Sequence, residues 1–472
     1  MARQPNILFM MTDHTNAQAL APGSQCRTPN LSALAAQGMR FHRFYTTNAI
    51  CSPARASLMT GLFPSTHGMW DCTHTQRREW VDVPAERFTY FSHQLAAAGY
   101  YNAYFGKWHV EQSNRLEDFG WHEYDVRVTS ARAKPMPGTE VRVPKEGYRD
   151  YILAGVSDDA ATRTHPAVDR GIEFLRRYAA AGEDRPFCCF VSASEPHDPY
   201  VPPRRFFEQY PLDSIRLSPT LREEPTGKPE VIRRMRLVWE GLTDADWRKV
   251  CACYWATISY MDSEFGRLLQ ALRDTGLYEN TIVVFTSDHG DMQGAHGLVT
   301  KGVGTSYEPV YNIPLILRVP GMSGGCEETE ALASMVDLAP TLLDLCGAPP
   351  LPNAQGRSLR PVLEGRANPD AWQDAYAEFF GQRFVYTQRI VWHQNWKYVF
   401  SPGGVDELYN LADDPHERHN LAEEPAARNT LHAMVRRMWR RMRQIGDESL
   451  FNTQYATLRT APIGPDSVRD EA

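Results

Sequence analysis

The chain has 472 residues, of which 42% are hydrophobic, so it is long enough to bury a large core. Charged residues make up 23% and the formal net charge is −7, which argues against a nucleic-acid surface or a polybasic membrane patch. The apolar run Ile7–Met11 is too short to cross a bilayer and lacks the basic leader of a secretory signal, so we expect a cytoplasmic protein.

Short apolar runs rich in β-branched and aromatic residues alternate with helical patterns, which predicts an α/β fold. Core strands are predicted at Asn6–Met11, Tyr100–Phe105, Phe187–Ser192, Thr281–Thr286 and Pro314–Val319. The helices predicted between them are Pro29–Gln37, Thr89–Ala98, His165–Ala180, Ala252–Thr275 and Met335–Leu345. Residues 130–150 and 199–230 are rich in proline, glycine and charge, which predicts long loops that wall the active site.

After about residue 365 the pattern changes. Phe384–Trp392 and Trp396–Phe400 have the pattern of antiparallel strands joined by a polar turn. Ala426–Met442 follows as a basic amphipathic helix, whose arginine-rich face we interpret as solvated. We therefore predict a catalytic domain over residues 1–365, an antiparallel-sheet and helix subdomain over 366–445, and a tail over 446–472.

Nine cysteines are an odd number in a chain without secretory features, which argues against a disulfide framework. The pairs Cys188–Cys189 and Cys251/Cys253 could suggest metal binding, but no second Cys/His pair stands at zinc spacing. Both pairs lie in apolar surroundings, so we interpret them as buried, inert thiols.

Polar residues follow four of the predicted strands, at the edge where ligands bind in open α/β sheets. They include two of only seven lysines in the chain. The groups are Asp13-His14, Lys107 with His109, His197-Asp198, and Asp288-His289 followed by Lys301. Carboxylates with an imidazole predict a divalent-cation site, where the oxygen ligands favour a hard ion and the nitrogen donor leaves manganese or zinc open.

The segment Cys51-Ser52-Pro53-Ala54-Arg55, followed by Thr60-Gly61, resembles the signature of the formylglycine-dependent sulfatases. Other segments similar to this family are Pro5-Asn6-Ile7-Leu8, Thr28-Pro29-Asn30-Leu31, Ser65-Thr66-His67-Gly68, Pro196-His197-Asp198-Pro199-Tyr200, Ser287-Asp288-His289-Gly290, Asp337-Leu338-Ala339-Pro340-Thr341-Leu342 and Glu407-Leu408-Tyr409-Asn410-Leu411. The resemblance covers nearly the whole chain. It implies an alkaline-phosphatase-like α/β fold, with a large mixed, mostly parallel sheet flanked by helices and a smaller C-terminal antiparallel-sheet subdomain.

The resemblance also implies a chemistry. A formylglycine-generating enzyme would convert Cys51 to formylglycine (3-oxoalanine), and one oxygen of its hydrate would attack the sulfur of a sulfate ester. By position, the metal ligands would be Asp13, Cys51, Asp288 and His289, with Ca²⁺ as the first candidate and Mn²⁺ as the second. Arg55 would orient the hydrate. The remaining catalytic residues would be Lys107, His109, His197 and Lys301, with His109 as base and His197 as acid.

The chain departs from the commonest family pattern at two places. It has Asp13-His14 where many sulfatases have two aspartates, and His289 where many have asparagine. The histidine variant also occurs in relatives similar to choline-sulfatases and phosphonate monoester hydrolases. These changes make manganese more plausible. They leave two roles open for His14, which either lines the site or supports a residue that does.

Three functions remain open: a sulfate monoester hydrolase, a phosphonate monoester or phosphodiester hydrolase, and a binding protein with unmodified Cys51. The Lys107/His109 pair favours the first, because the phosphonate branch tends to replace it. The substrate would be a small-molecule or carbohydrate sulfate ester, and Trp70, Asp71 and His74 either shape its pocket or pack loops. Relatives are often dimers or tetramers, so the tail after residue 445 could reach a neighbouring subunit.

Overall fold

Sixteen strands form four sheets in the computed structural model, which describes residues 4–74, 83–131, 133–158, 164–322, 327–451 and 454–471. In chain order the strands are β1 (Asn6–Thr12), β2 (Met39–Phe41), β3 (Phe44–Tyr45), β4 (Tyr101–Gly106), β5 (Glu123–Asp125), β6 (Val141–Val143), β7 (Tyr151–Ala154), β8 (Phe187–Ser192), β9 (Thr281–Ser287), β10 (Leu315–Arg318), β11 (Glu327–Thr329), β12 (Ala333–Ser334), β13 (Asp374–Gly381), β14 (Val385–His393), β15 (Trp396–Phe400) and β16 (Glu407–Asn410).

The central sheet has eight strands in the order β11-β2-β10-β9-β1-β8-β4-β5. Strand β1 pairs in parallel with β8 and β9, and β4 pairs in parallel with β8 and β5. Strand β10 runs antiparallel to both its neighbours, which makes the sheet mixed. All five predicted core strands are present, with ends shifted by one residue at most.

The helices are α1 (Pro29–Ala35), α2 (Cys51–Thr60), α3 (Pro64–His67), α4 (Phe91–Ala97), α5 (Pro166–Ala181), α6 (Arg204–Phe207), α7 (Glu230–Arg236), α8 (Asp244–Asp274), α9 (Glu308–Tyr311), α10 (Leu338–Cys346), α11 (Arg360–Leu363) and α12 (Arg428–Ile445). Helix α8 begins earlier than the predicted Ala252, because Thr243 and Asp246 form a capping box at its start. The predicted helix at Met335 begins instead with a 3₁₀ turn, Met335–Asp337, ahead of α10. Among the described residues, every helix is too short or too polar to cross a bilayer.

The two faces of the central sheet pack against different helices. Leu8 and Met10 of β1 belong to the core that contains residues of α5 and α8. Ile7, Phe9 and Met11 point the other way, into the core that contains residues of α2, α4 and α10. Because both faces are covered, every residue of β1 is buried, as the continuous hydrophobicity of the segment predicts.

Helix α2 was not predicted from periodicity. Its sequence, CSPARASLMT, consists mainly of small and polar residues, yet all ten are buried. A helix surrounded by protein on every side has no solvent face, so it shows no amphipathic pattern. Its burial has a functional consequence, because the helix starts at Cys51.

Strands β13 to β16 form a separate antiparallel sheet, as predicted for the two central strands. The apolar face of α12 packs on this sheet through residues such as Met434, Met438 and Trp439. The arginine-rich face is not simply solvated, which corrects our interpretation. Arg441 donates to the carbonyl of Gln355, and Arg443 donates to carbonyls in the C-terminal segment. The domain boundaries given above remain predictions.

Arg389 of β14 and Asp447, just beyond α12, form a buried ion pair with 2.7 Å between Nη2 and Oδ2. We expect Asp447→Ala to lower the free energy of unfolding by about 3–5 kcal/mol, because the guanidinium stays buried without its carboxylate. Urea denaturation measures this loss. The matched control is Asp466→Ala, which removes the partner of exposed Arg469 and should cost less than about 1 kcal/mol. Equal losses in the two variants would contradict the prediction.

Candidate active site

Four neighbouring parallel strands end at the same edge of the central sheet. The pairing places Thr12 beside Ser287, Met11 beside Ser192, and Gly106 beside Ser192. The residues that follow these strand ends are therefore brought together by the register of the sheet, as the sequence predicts. The residues that the structure gathers there are Asp13, His14, Lys107, His109, His197, Asp288 and His289, with Lys301 from the loop after β9.

Cys51 enters this cluster from the first turn of α2. Its Sγ atom lies 3.2 Å from Nε2 of His289 and 3.7 Å from Oδ1 of Asp13. Only 1% of the residue is exposed. The position at a helix N-terminus also favours negative charge on residue 51, because the helix dipole is positive there.

The ligand atoms of Asp13, Cys51, Asp288 and His289 all lie within 4.8 Å of one another. Nε2 of His289 is 3.6 Å from Oδ1 of Asp13 and 3.7 Å from Oδ1 of Asp288. Nδ1 of His289 lies 3.0 Å from the carbonyl oxygen of Gly290, a contact that fixes the ring and directs Nε2 inward. Two buried carboxylates and an oriented imidazole fit a divalent cation such as Ca²⁺ or Mn²⁺.

Arg55 connects α2 to the strand ends. Its Nε donates to Oδ2 of Asp288 at 2.8 Å, and its Nη1 donates to Oγ of Ser192 at 2.8 Å. Its Nη2 lies 3.5 Å from Oδ2 of Asp13 and makes no hydrogen bond, although it is buried. Burial alone would lower the pKa of Arg55, but the carboxylates of Asp288 and Asp13 raise it above its usual value. The side chain is therefore a fixed cation.

Two lysines contact different members of the cluster. Nζ of Lys107 contacts Oδ2 of Asp13, and Nζ of Lys301 lies 3.1 Å from Nε2 of His197. Burial opposes charge on Lys107, but the negative charges of Asp13 and Cys51 raise its pKa. Burial, then Lys301 and then His14 lower the pKa of His197, so this imidazole is neutral and accepts a hydrogen bond from Lys301.

His109 lies near Cys51, although it does not belong to a strand. Strand β4 ends at Gly106, so the pleat does not extend to His109. The residue reaches the site through a turn in which its φ is 58°, a left-handed value that is uncommon for a side-chain-bearing residue. Nε2 of His109 is 3.2 Å from Nδ1 of His74, whereas its Nδ1 is buried without a hydrogen-bond partner.

His14 lies inside the site, which resolves the question that the sequence left open about its position. Its ring centroid is 4.2 Å from that of His197 and 4.5 Å from that of His289. Its backbone is also left-handed, with φ of 72°. Nδ1 of His14 is 3.1 Å from Oδ2 of Asp291, which also accepts a 2.6 Å hydrogen bond from Tyr200.

The charge state of His14 follows from these neighbours. Burial and then Lys301 act to lower its pKa, but hydrogen bonds with Asp291 and Cys51 and the charge of Asp13 raise it to about 9. The sequence analysis missed the role of Asp291 as the partner of His14. Its position in the segment Ser287–Asp291 was the only available signal, because the contact joins two distant parts of the chain.

The turn between β13 and β14 forms part of the site wall. Asp71 accepts a 2.6 Å hydrogen bond from the backbone amide of Arg383, and Gln382 packs against Gly302, next to Lys301. Asp71 therefore fixes this turn. Trp70 stacks on Phe380 with ring centroids 5.0 Å apart and keeps 48% of its surface exposed.

Segments 130–150 and 199–230 are not loops throughout, because they contain β6 and α6, but both border a cavity of about 300 Å³ beside Lys107 and His197. Ser130 and Ala133 line it from one segment, and Val201 lines it from the other. The cysteine pairs at 188–189 and 251–253 are buried, as predicted, and are not among the metal-binding groups formed by the described residues.

Solved structures share this fold. A phosphonate monoester hydrolase from Silicibacter pomeroyi matches with a TM-score of 0.76 and 24% identity, over 95% of this chain and 97% of that one. A protein solved in complex with its substrate D-glucosamine-2-N,6-O-disulfate matches with a TM-score of 0.74 and 23% identity, over 94% and 98%. The fold is alkaline-phosphatase-like, as the sequence resemblance implies.

Sequence comparisons give the family. A choline-sulfatase of Rhizobium meliloti is 30% identical over 453 residues, which cover 89% of this chain and 83% of that protein. An uncharacterised sulfatase of Escherichia coli is 30% identical over 435 residues, with the same coverage of 89% and 83%. Residues 294–444 match the family model for the C-terminal part of N-sulphoglucosamine sulphohydrolase, and residues 5–348 match the sulfatase model. The chain belongs to the sulfatase family of enzymes.

Proposed function

We propose that this chain hydrolyses a sulfate monoester, with Cys51 converted to formylglycine and a divalent cation held by Asp13, Asp288, His289 and residue 51. The observation that carries the proposal is the arrangement of cationic and imidazole groups around residue 51. Lys107 contacts Asp13 and Lys301 contacts His197, while ring nitrogens of His109 and His197 lie within 4.8 Å of Sγ of Cys51. Such a site can stabilise the negative charge that develops on sulfuryl oxygens.

Two groups complete the site in this proposal. Hydrated formylglycine would supply a hydroxyl nucleophile, and a cation held by Asp13, Asp288 and His289 would supply the Lewis acidity that favours its ionised form. The carboxylates of Asp13 and Asp288 fit a cation, because both are buried and negative charge there is balanced by nearby positive charge. Asp13 lies beside Lys107 and Arg55, and Asp288 lies beside Arg55. Arg55 holds Asp288 in place and keeps α2 in register with the strand ends.

Lys301 and His197 bind the sulfuryl oxygens and deliver a proton to the leaving oxygen. Nε2 of the neutral His197 accepts the 3.1 Å hydrogen bond from Nζ of Lys301, and its Nδ1 lies 2.8 Å from the carbonyl oxygen of Asp198. The ammonium group of Lys301, rather than the imidazole, therefore holds the proton that the pair can deliver. His14 lies against Lys301 on the opposite side and supports its position through Asp291. Lys107 adds positive charge near Asp13.

His109 is the base in the second half of the reaction. Burial, followed by the charge of Lys107, lowers its pKa and keeps the ring neutral. When Nε2–H donates to Nδ1 of His74, the partnerless Nδ1 of His109 is an acceptor. It can therefore accept a proton from residue 51 and release sulfate without attack by water on the ester.

In this proposal the substrate is a small-molecule or carbohydrate sulfate ester. Two relatives carry names that span this range, a choline-sulfatase of Rhizobium meliloti and an N-acetylglucosamine-6-O-sulfatase of Bacteroides thetaiotaomicron. The exposed ring of Trp70 and the turn at Arg383 are the surfaces that would contact this part of the substrate.

Conversion of Cys51 is the first test. Protein co-expressed with a formylglycine-generating enzyme should contain formylglycine at residue 51 by peptide mass spectrometry, and it should hydrolyse an aryl sulfate. Cys51→Ala should abolish that activity and keep the circular dichroism spectrum, because the small side chain fits inside α2. Fully active protein with an unmodified thiol would rule out the mechanism.

Lys301 gives a test of charge stabilisation. We expect Lys301→Met to lower kcat/KM for an aryl sulfate by about 10²–10³-fold, the size reported for loss of one transition-state donor. Lys145→Met is the matched control, because Lys145 is exposed and its Nζ lies over the exposed ring of Tyr148, so its loss should leave kcat/KM unchanged. Comparing rates on an aryl sulfate and an aryl phosphonate separates the proposed reaction from that of a phosphonate monoester hydrolase, which would be indicated by faster phosphonate cleavage.

Removal of the cation is the third test. Dialysis against EDTA should abolish activity, because it removes the Lewis acid held by Asp13, Asp288 and His289. Activity should return with Ca²⁺ or Mn²⁺, and the more effective ion identifies the metal. Full activity after complete metal removal, verified by elemental analysis, would contradict a metal-dependent mechanism.

A further inference from the structure

A second cysteine lies next to Cys51, and none of the roles described above uses it. Cys72 is 5% exposed and belongs to the segment that follows α3. The Sγ atoms of Cys51 and Cys72 and a ring nitrogen of His109 all lie within 4.8 Å of one another. These three donors form a group separate from the carboxylates of the proposed cation site, and they share only Cys51 with it.

The surroundings hold this group in place. The amide of Thr73 donates to Oγ of Ser52 at 3.2 Å, which ties the residue after Cys72 to the first turn of α2. The amide of Cys72 donates to Oδ1 of Asp71 at 2.6 Å. The segment that carries Cys72 is therefore tied to the first turn of α2, where Cys51 lies.

His109 also has a ring nitrogen available to a ligand. Its Nδ1 is buried and has no hydrogen-bond partner, which is costly unless another group occupies the site. Its Nε2 contacts Nδ1 of His74 at 3.2 Å. In protein metal sites the non-coordinating nitrogen of a histidine has a partner of this kind, which orients the ring.

The donor types select the ion. Two thiolates and an imidazole suit Zn²⁺, which takes sulfur at about 2.3 Å and nitrogen at about 2.1 Å in tetrahedral geometry. The ligand atoms around such an ion are about 3.5–3.8 Å apart, so the group needs to contract by about 1.3 Å at most. A water molecule would fill the fourth position.

We propose that the chain with unconverted Cys51 binds Zn²⁺ through Cys51, Cys72 and His109. Binding forms two Zn–S bonds and one Zn–N bond, and the two thiol protons pass to solvent. Conversion of Cys51 removes one of the two sulfurs and leaves only Cys72 and His109, too few ligands for a tight site. The zinc site is therefore a property of the precursor chain, and it stands apart from the proposed reaction.

The test uses full-length protein expressed without a formylglycine-generating enzyme, reduced, stripped with EDTA and titrated with Zn²⁺ against a fluorescent chelator. We expect one tight equivalent in the parent chain. Affinity should fall by more than about 100-fold in Cys72→Ser and in protein with formylglycine at residue 51. Cys346→Ser is the matched control, since Cys346 is equally buried on α10, and its affinity should equal that of the parent.

Zinc-edge X-ray absorption on the parent chain counts the sulfur ligands directly and does not depend on the folding of any variant. Two sulfurs are expected. One sulfur would assign the zinc to Cys51 with Asp13, Asp288 and His289 and overturn the proposal. Unchanged affinity in folded Cys72→Ser would overturn it as well.

Discussion

The rest of the active site depends on the contacts made by the buried guanidinium of Arg55. It joins α2 to Asp288 and Ser192, which follow or end two different strands, and it lies near Asp13, which follows a third. A cation removed from water is stable only when carboxylates and carbonyl groups compensate for the lost hydration. The same carboxylates are the proposed metal ligands, so the position of Cys51 and the geometry of the cation site are set together.

Charge balance explains why so many ionisable groups can share one buried space. The acids Asp13, Asp288 and Asp291 each lie against a basic partner, respectively Lys107, Arg55 and His14. Each acid and base therefore compensates for the desolvation of the other. The backbone also departs from its preferred conformations here, since His14 and His109 both adopt positive φ directly after or near a strand end. Such strain, about 1–3 kcal/mol per residue, persists only where surrounding contacts hold it.

The C-terminal sheet contributes contacts around the active site in addition to covering the core. Its β13–β14 turn is fixed by Asp71 and brings Gln382 beside the segment that carries Lys301. Glu378 of β13 accepts hydrogen bonds from both the amide and hydroxyl of Ser65, just beyond α2. Contacts of this kind make the position of the catalytic helix dependent on a part of the chain that follows it by more than three hundred residues.

The sequence by itself determined the core strands, because continuous hydrophobicity is the mark of a strand buried on both faces, as in β1. It also determined which polar residues meet at the sheet edge, because parallel strands end together. The tertiary structure alone decided the helical state of Cys51–Thr60, the partnership of His14 with Asp291, and the approach of Cys72 to Cys51. Periodicity reports the face on which a side chain lies, whereas these contacts depend on the distances between elements that the packed core fixes.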